Sequence, residues 1–451
     1  MTGPQNPVLR RFRPDPSLVR DGEDWWIATS TFEWWPGVAL HHSRDLVTWD
    51  LVGGALTRPS QLELRGLEPS CGVGAPDLSI VDGLFHLVYT VVRRLLAPYR
   101  DAVALLVTAT DPRGDWSDPT FLNGYGFDHS LFYDTDGRSW LLWTLQDLRP
   151  GRTHERAIYA QEFDRAAGVM RGDIHRIFDG TKLGSVEGPH LYRKDGWYYL
   201  VTAEGGTGYG HAVTVARSRQ VLGPYDVSPH GPMLTSTPDL LQKAGHGSLA
   251  EAADGGWWAA HLCARPLSAC MEEPLRRSPL GRETALQQVE WPAGEWPRVP
   301  GGPATALPLP GSGALPCATT GLTGPKLLTL REPADEGWVS QAARPGWTRL
   351  RGRASLSSRH DVSLLAHRIT EHHWSAHVEV DARPQTPWDA CGLVAFYDGL
   401  AYAWLRLSAD AQGRRELRSQ TSGWLWYDEP GEPVSPLTVR CTSASMSTAP
   451  S

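Results

Sequence analysis

The sequence has few cysteines and no pattern that would organise them. The 451 residues include six Cys, and no two of them form a C-x-x-C pair. Neither a zinc ribbon nor a dense disulfide framework is therefore indicated. Reduced thiols in the cytosol are the simplest interpretation, which favours a cytoplasmic protein. The six are Cys71, Cys263, Cys270, Cys317, Cys391 and Cys441.

Long hydrophobic runs and an excess of positive charge are also absent. The opening residues, MTGPQNPVLRRFRPDP, contain no apolar core of signal-peptide length. No stretch reaches the roughly 18–20 apolar residues of a membrane span. The formal net charge of −7 argues against a nucleic-acid-binding surface. These absences predict a soluble protein with neither a membrane nor a nucleic acid as its partner.

The motifs of several other kinds of site are missing too. There is no D-x-D-x-D-G calcium loop and no G-x-S-x-G turn for a nucleophilic serine. No P-loop or G-x-G-x-x-G stands between a strand and a helix. Helical periodicity is nearly absent, so the pattern predicts an all-β protein.

What the sequence does contain is a repeated hairpin. In each copy a polar residue precedes a short apolar strand, a turn rich in Asp and Gly, and a second strand rich in aromatic residues. The copies recur every 50–60 residues or so, which is typical of the blades of a β-propeller. Five copies predict five blades within about the first 295 residues. They begin PDPSLV at Pro14, PDLSIV at Pro76, FDHSLF at Phe127, EGPHLY at Glu187 and GHGSLA at Gly245.

The polar residues that lead the five copies are expected to meet. The innermost strand of every propeller blade starts at the same end of the central channel, so a residue just before it faces a common cavity. Each acid could instead simply cap a turn. We also expect Pro16 to hold Asp15 in an extended conformation. The leading residues are Asp15, Asp77, Asp128, Glu187 and His246.

Converging carboxylates beside aromatic rings suggest glycoside hydrolysis. One carboxylic acid protonates the leaving oxygen, while a second carboxylate activates water or attacks the sugar. The chain has 20 Trp, an excess that suits stacking on sugar rings as well as filling a core. Candidate stacking residues beside the acids are Phe32, Trp34, Trp35 and Phe127.

Long motifs of the sequence resemble the β-xylosidases of glycoside hydrolase family 43. They include RPDPSLV, GFDHSLFYDTDGR, EGPHLYRKDGWYYLVTAEGG and PLGRETALQQVEW, and the resemblance covers about residues 6–297. It implies an inverting enzyme, in which Asp15 would be the general base and Glu187 the general acid. Asp128 would orient that acid and keep its pKa raised. The two carboxyls of Asp15 and Glu187 would then lie about 6.5–9.5 Å apart.

The same resemblance implies how the substrate is held. His246 would lie at the floor of the pocket, and Arg282 would donate hydrogen bonds to substrate hydroxyls. Phe32 and Phe127 complete the expected substrate-binding set. No metal ligand or cofactor is required, although a calcium ion near His246 stays open, as does self-association into a homo-oligomer. The histidines of TEHHWSAH have no ordered metal-ligand spacing.

Three reactions or roles fit this interpretation. The leading hypothesis is an exo-acting 1,4-β-xylosidase that releases xylose from xylo-oligosaccharides. An α-L-arabinofuranosidase would use the same pocket and acids. A non-catalytic carbohydrate-binding propeller is the third. It gains some support because the family usually has Trp where this chain has Gly74 and because the C-terminal tail looks curtailed, but the intact acids Asp15, Asp128 and Glu187 argue against it. His129 and Ser248 also depart from the family pattern, which bears on substrate preference and rate.

The remaining sequence predicts a second domain. Residues 1–297 are assigned to the propeller, and residues 298–345, rich in Pro and Gly, to a connecting segment. Alternating strands in residues 346–451 predict a β-sandwich. The ending PLTVRCTSASMSTAPS has few large apolar residues, so this sandwich looks incomplete at its C-terminus. The predicted fold is thus all-β, a five-bladed propeller followed by a sandwich.

Overall fold

The computed structural model describes residues 5–94, 100–147, 149, 151–152, 155–236, 241–267, 277–301, 326–423, 426–436 and 444–447. Within these ranges the secondary structure is all β, which confirms the predicted class. No helix in the described part is long and apolar enough to cross a membrane. Residues 302–325 of the predicted connecting segment, 298–345, lie outside the described ranges, whereas residues 326–345 are described and contain the short strands Leu328–Leu330 and Val339–Ser340.

Five antiparallel sheets follow one another along the chain as the propeller blades. Blade 1 comprises β1 (Ser17–Asp21), β2 (Asp24–Thr29), β4 (Gly37–Ser43) and β5 (Asp50–Leu56), with the short β3 (Trp34–Trp35) between β2 and β4. Blade 2 comprises β6 (Gly72–Val81), β7 (Leu84–Arg94), β8 (Asp101–Ala109) and β9 (Thr120–Asn123). Blade 3 comprises β10 (Phe127–Tyr133), β11 (Ser139–Gln146), β12 (Arg156–Asp164) and β13 (Val169–Phe178). Blade 4 comprises β14 (Glu187–Lys194), β15 (Trp197–Glu204), β16 (Ala212–Ser218), β17 (Asp226–Val227) and β18 (Leu234–Thr235). Blade 5 comprises β19 (Gln242–Glu251), β20 (Trp257–Ala264) and β21 (Glu283–Val289).

Tight turns at Asp-Gly pairs form the inner hairpins, as the sequence predicts. Asp82 and Gly83 join β6 to β7 with φ of 52° and 73°. Asp195 and Gly196 join β14 to β15 with φ of 50° and 73°. A two-residue turn with positive φ at both positions matches the twist of the strands that it connects. The inner strands are thereby held in a fixed register with their neighbours.

The N-terminal segment closes the ring against blade 5. Leu9 forms a β-bridge with Thr284 on β21. The side chain of Asn6 donates to the Leu286 carbonyl oxygen over 2.8 Å and accepts from the Leu286 N–H over 2.8 Å. Ring closure removes an exposed strand edge, where another chain could otherwise pair.

A second set of hydrogen bonds connects each blade to the next near the channel. Ser17 Oγ accepts from the N–H of Leu78 in blade 2 at 2.9 Å. The equivalent residue of blade 5, Ser248, accepts from the N–H of Leu18 in blade 1 at 2.7 Å. The other contacts run from Leu131 N to Asp77, from Ser130 to the Pro189 carbonyl oxygen, and from Leu249 N to Tyr192. Every blade is thus joined to both neighbours.

The C-terminal strands form small sheets and one larger meander. The short strands are β22 (Leu328–Leu330), β23 (Val339–Ser340), β24 (Arg349–Leu350), β25 (Leu365–Ala366), β26 (Ser375–Val378) and β31 (Ala444–Ser447). The meander contains β27 (Cys391–Asp398), β28 (Ala401–Ala409), β29 (Arg415–Gly423) and β30 (Trp426–Pro436). The predicted incompleteness concerns the chain after residue 436, most of which lies outside the described ranges.

This second part packs directly on blade 1. Strand β22 pairs with β3, so Thr329 lies opposite Trp35. Beside this pairing, Arg331 and Glu33 form an ion pair in which both side chains are almost fully buried. Trp34 meets Phe396 edge-on at 5.7 Å between ring centroids. The expected stacking role of Trp34 and Trp35 is therefore wrong, because both rings are buried in packing contacts.

Candidate active site

Every inner strand has a residue in the left-handed backbone region, either within its first half or, in blade 1, two residues before it. A register shift follows this residue in blades 2 to 5, which marks a β-bulge. The prediction that Pro16 holds Asp15 extended is wrong, since φ of Asp15 is 56°. Tertiary contacts offset the local preference, and Asp tolerates this region better than most residues. The five residues, with φ of 56°, 35°, 55°, 56° and 50°, are Asp15, Ala75, Asp128, Gly188 and His246.

In blades 2 and 4, the left-handed position is held by a different residue from the one that the repeat predicts. In blade 2 it is held by Ala75, and Asp77 lies two residues further on. The Asp77 carboxylate accepts from the Leu131 N–H of blade 3 at 2.9 Å, so Asp77 connects blades and does not join the acids of the cavity. In blade 4 the position is held by Gly188, where a Cβ atom would lie 3.0 Å from the His246 ring. The acid of that blade, Glu187, precedes it by one residue.

Asp15 is held as a carboxylate by two side chains. Arg282 Nη1 donates to Oδ1 over 2.8 Å, and Ser30 Oγ donates to Oδ2 over 2.7 Å. Burial works to raise the pKa of Asp15, but Arg282, His246 and the Ser30 hydroxyl together outweigh it and lower the pKa. Asp15 is therefore ionised near neutral pH, as a general base must be.

Asp128 and Glu187 have the opposite electrostatics. Burial and the nearby charge of Asp15 raise the pKa of Asp128 to about 7, although its Oδ2 accepts from the Gly188 N–H over 3.1 Å. Burial and the charge of Asp128 raise the pKa of Glu187, against the ion pair that Glu187 makes with Arg156. A carboxyl that keeps its proton above its ordinary pKa can act as a general acid.

His246 lies among these acids. Burial lowers its pKa, although Asp15 and Glu187 favour its charged form. Among the described residues, no three His, Cys, Asp or Glu side chains are placed to hold a metal ion. Calcium prefers six to eight oxygen ligands, and a buried imidazole supplies none. The calcium ion near His246 thus stays a prediction for which the described residues provide no ligand set.

Arg282 and Phe32 lie on the side of the cavity next to Asp15. The Arg282 guanidinium carbon is 5.2 Å from the centroid of the Phe32 ring. A third residue, Phe12, contacts Phe32 at 5.5 Å between ring centroids. Arg282 is therefore placed by two aromatic rings and the Asp15 carboxylate, which is a position suited to binding sugar hydroxyls as well.

Phe127 lies on the side of the cavity next to Glu187, with two arginines that the sequence analysis missed. The guanidinium carbons of Arg100 and Arg156 are 4.1 Å and 5.5 Å from the Phe127 centroid. Both arginines interact electrostatically with the acids. Arg156 is the first residue of β12 and Arg100 directly precedes β8, so neither belongs to a repeat motif that could have revealed it.

The other departures from the family pattern have structural explanations. His129 is buried against Thr90 and Asn123, with 3.0 Å contacts to both, and burial lowers its pKa to about 3. Ser248 joins blade 5 to blade 1. At Gly74 a Cβ atom would meet nothing within 4 Å, so the backbone leaves open space there.

A five-bladed propeller that brings together an acid of lowered pKa, Asp15, and two acids of raised pKa, Asp128 and Glu187, has the machinery of a glycosidase. Comparison with known proteins agrees. Residues 4–297 match the profile of glycosyl hydrolases family 43, and residues 320–429 match that of the beta xylosidase C-terminal concanavalin A-like domain. The chain belongs to glycosyl hydrolase family 43 and is a glycosidase.

The relatives extend over both parts of the chain. Xylosidase/arabinosidase 43B of Humicola insolens is 43% identical over 438 residues, which cover 94% of this chain and 80% of that protein. Xylan 1,3-beta-xylosidase of a Vibrio species is 42% identical over 92% of this chain and 81% of that protein. The crystal structure of xylan beta-1,4-xylosidase from Bacillus halodurans C-125 superposes with a TM-score of 0.88 at 42% identity, covering 96% of this chain and 85% of that one.

Proposed function

We propose that this glycosidase is an exo-acting 1,4-β-xylosidase that releases xylose from short xylo-oligosaccharides with inversion at the anomeric carbon. The observation that carries the proposal is the pair of oppositely shifted acids, Asp15 and Glu187, in one cavity. The xylosidase names of relatives at 42–43% identity support xylose as the sugar.

In the proposed reaction, Asp15 removes a proton from water as the water attacks the anomeric carbon. Arg282 and Ser30 keep Asp15 ionised and fix its orientation. Glu187 donates its proton to the oxygen of the leaving group, so that this group departs as an alcohol. Asp128 acts on Glu187 through its charge and through the Gly188 N–H, which makes it a positioning residue.

An α-L-arabinofuranosidase activity is the second candidate. The relative from Humicola insolens is named for both xylosidase and arabinosidase activity. The resemblance to the family implies a Trp at the position of Gly74, where the backbone leaves open space, and the loss of that side chain supports a wider choice of pentose. The linkage is a further part of the proposal, since similar proteins are named for 1,3- and for 1,4-xylosidase activity.

Hydrolysis of two chromogenic aryl glycosides and of two xylobioses tests the proposal. The wild type is expected to cleave aryl β-xyloside faster than aryl α-L-arabinofuranoside, and β-1,4-xylobiose faster than β-1,3-xylobiose. Glu187→Ala should lower kcat by about 10²–10⁴-fold, because it removes the general acid. Glu63→Ala, at an exposed acid paired with Arg65, is the matched control and should leave kcat unchanged. Full activity in Glu187→Ala would contradict the assignment, and hydrolysis of neither substrate would refute the proposed function.

A further inference from the structure

The side of the cavity around Phe127 carries more positive charge than the proposed reaction uses. Two guanidinium groups, of Arg100 and Arg156, contact the same ring. Arg282, on the opposite side, is already accounted for by its contact with Asp15. The question is what Arg100 and Arg156 bind.

Arg100 has unused hydrogen-bonding capacity. Its Nε atom is buried and has no hydrogen-bond partner among the described residues. Its guanidinium carbon lies 4.1 Å from the Phe127 centroid, which places the planar group against the ring. A buried, unpaired donor is costly unless a ligand satisfies it.

Arg156 has a partner that changes charge during the reaction. It forms an ion pair with Glu187, and both side chains are largely buried. To protonate the leaving group, Glu187 must hold a proton, and a protonated carboxyl is a much weaker partner for a guanidinium than a carboxylate. In the form of the enzyme that is ready to react, Arg156 therefore lacks a full counter-charge.

The charges of the cavity then do not balance on this side. With Asp15 paired to Arg282 and Glu187 protonated for the reaction, the two arginines share at most one carboxylate, that of Asp128, whose own pKa is raised to about 7. The two cations also lie close enough for Arg156 to lower the pKa of Arg100. One more negative group near them would restore the balance.

We propose that Arg100 and Arg156, with Phe127 beneath them, form a subsite for a leaving group that carries a carboxylate, such as a uronic-acid unit or an aromatic acid linked to the sugar. The inference rests on the proposed role of Glu187. Because Glu187 delivers its proton to the leaving oxygen, the side chains around it line the part of the cavity that receives the leaving group. A guanidinium pair binds a carboxylate through charge-assisted hydrogen bonds.

Binding of two thioxylosides that are not hydrolysed tests the subsite. One carries a 4-carboxyphenyl group and the other its methyl ester, so that they differ in one charge. Calorimetry gives the ratio of the two dissociation constants for the wild type, Arg100→Gln and Arg156→Gln. We expect the preference for the carboxylate to fall about tenfold in each variant, which corresponds to one charge-assisted hydrogen bond.

Arg113→Gln is the matched control. Arg113 also lies over an aromatic ring, 4.5 Å from the Trp26 centroid, but it is exposed and contacts blade 1 instead of the Phe127 ring. Its ratio should equal that of the wild type. A preference that changes by less than about twofold in either Arg100→Gln or Arg156→Gln, or that falls equally in the control, would overturn the subsite. The measurement needs no turnover. If the protein hydrolyses xylosides but the ratio does not change in the variants, only the subsite is refuted and the proposed function stands.

Discussion

Asp15 and Glu187 differ in the charged neighbours that each of them contacts. Asp15 binds Arg282 and the Ser30 hydroxyl, and its pKa is lowered in spite of burial. Glu187 lies near the negative charge of Asp128, which adds to the effect of burial and raises its pKa. One cavity therefore shifts the pKa values of two acids in opposite directions, as a general base and a general acid require.

The electrostatic role of Asp128 predicts a pH effect. The active enzyme has Glu187 protonated, so kcat/KM is high below the pKa of Glu187 and falls as the pH rises through it. Asp128→Asn removes a negative charge, which lowers that pKa and should move the basic limb to lower pH by about one unit. The pH dependence of kcat/KM measures the shift.

The control for this effect is Asp82→Asn. Asp82 lies in an exposed turn and pairs with Arg165, away from the acids of the cavity. This substitution should leave both limbs where they are in the wild type. If Asp128→Asn lowers the rate and leaves the basic limb unmoved, burial alone raises the pKa of Glu187.

The sequence predicts the three acids of the site better than it predicts the conformation and the charged neighbours of those acids. Asp15, Asp128 and Glu187 each stand just before a recognisable strand, so their convergence follows from the repeat. The left-handed backbone of Asp15 does not follow from the repeat. The proline after it favours an extended conformation, and only tertiary contacts offset that preference. Arg100 and Arg156 begin or precede other strands, where no motif marks them.

At the scale of strands, the inner strand of each blade has two functions. In blades 1, 3 and 5 the left-handed residue (Asp15, Asp128 or His246) belongs to the site, and the serine two positions further joins the neighbouring blade. This alternation follows from the geometry of strands, in which residues two apart share a face, modified by the bulge that separates them. The site and the ring of blades are thus built from the same five strands.

Ser248→Ala tests the contribution of the contact between blades 5 and 1 to stability. The Ser248 hydroxyl accepts from the Leu18 N–H and donates to the Pro16 carbonyl oxygen, both buried. Its loss leaves a buried N–H unsatisfied and should lower the free energy of unfolding by about 1–3 kcal/mol in urea denaturation.

The matched control is Ser60→Ala, since the Ser60 hydroxyl donates to Asp118 at an exposed site. Its effect should stay within about 0.5 kcal/mol. Equal losses in the two variants would mean that the contact between blades 5 and 1 contributes no more than a surface hydrogen bond.

The Asp-Gly turns made the inner hairpins predictable, because positive φ at both turn positions suits few other residue pairs. The short strands were not predictable in the same way. Strand β3 pairs with β22, nearly 300 residues later, and two-residue strands leave no periodic pattern. The sequence therefore predicts Trp34 and Trp35 as stacking residues of the site, whereas the Trp34 ring packs against the second part of the chain and the Trp35 ring packs in the core of the propeller.

Across the whole molecule, closure of the ring and attachment of the second part depend on contacts that are distant in sequence. Asn6 and Leu9 pair with β21, and Arg331 pairs with Glu33 in blade 1. The repeat predicts the number of blades, whereas these long-range pairings depend on the folded geometry. Together they hold the N-terminal segment that carries Asp15 beside Arg282, which is how the global fold supplies the base with its counter-charge.

The configuration of the released sugar distinguishes a single displacement from a reaction through a covalent intermediate. If Asp15 activates water and Glu187 protonates the leaving group, hydrolysis proceeds by a single displacement. Proton NMR during the first minutes of hydrolysis of an aryl β-xyloside should show α-xylose forming first, with the β-anomer following only by mutarotation. Initial formation of β-xylose would mean a covalent intermediate and would contradict the roles given to both acids.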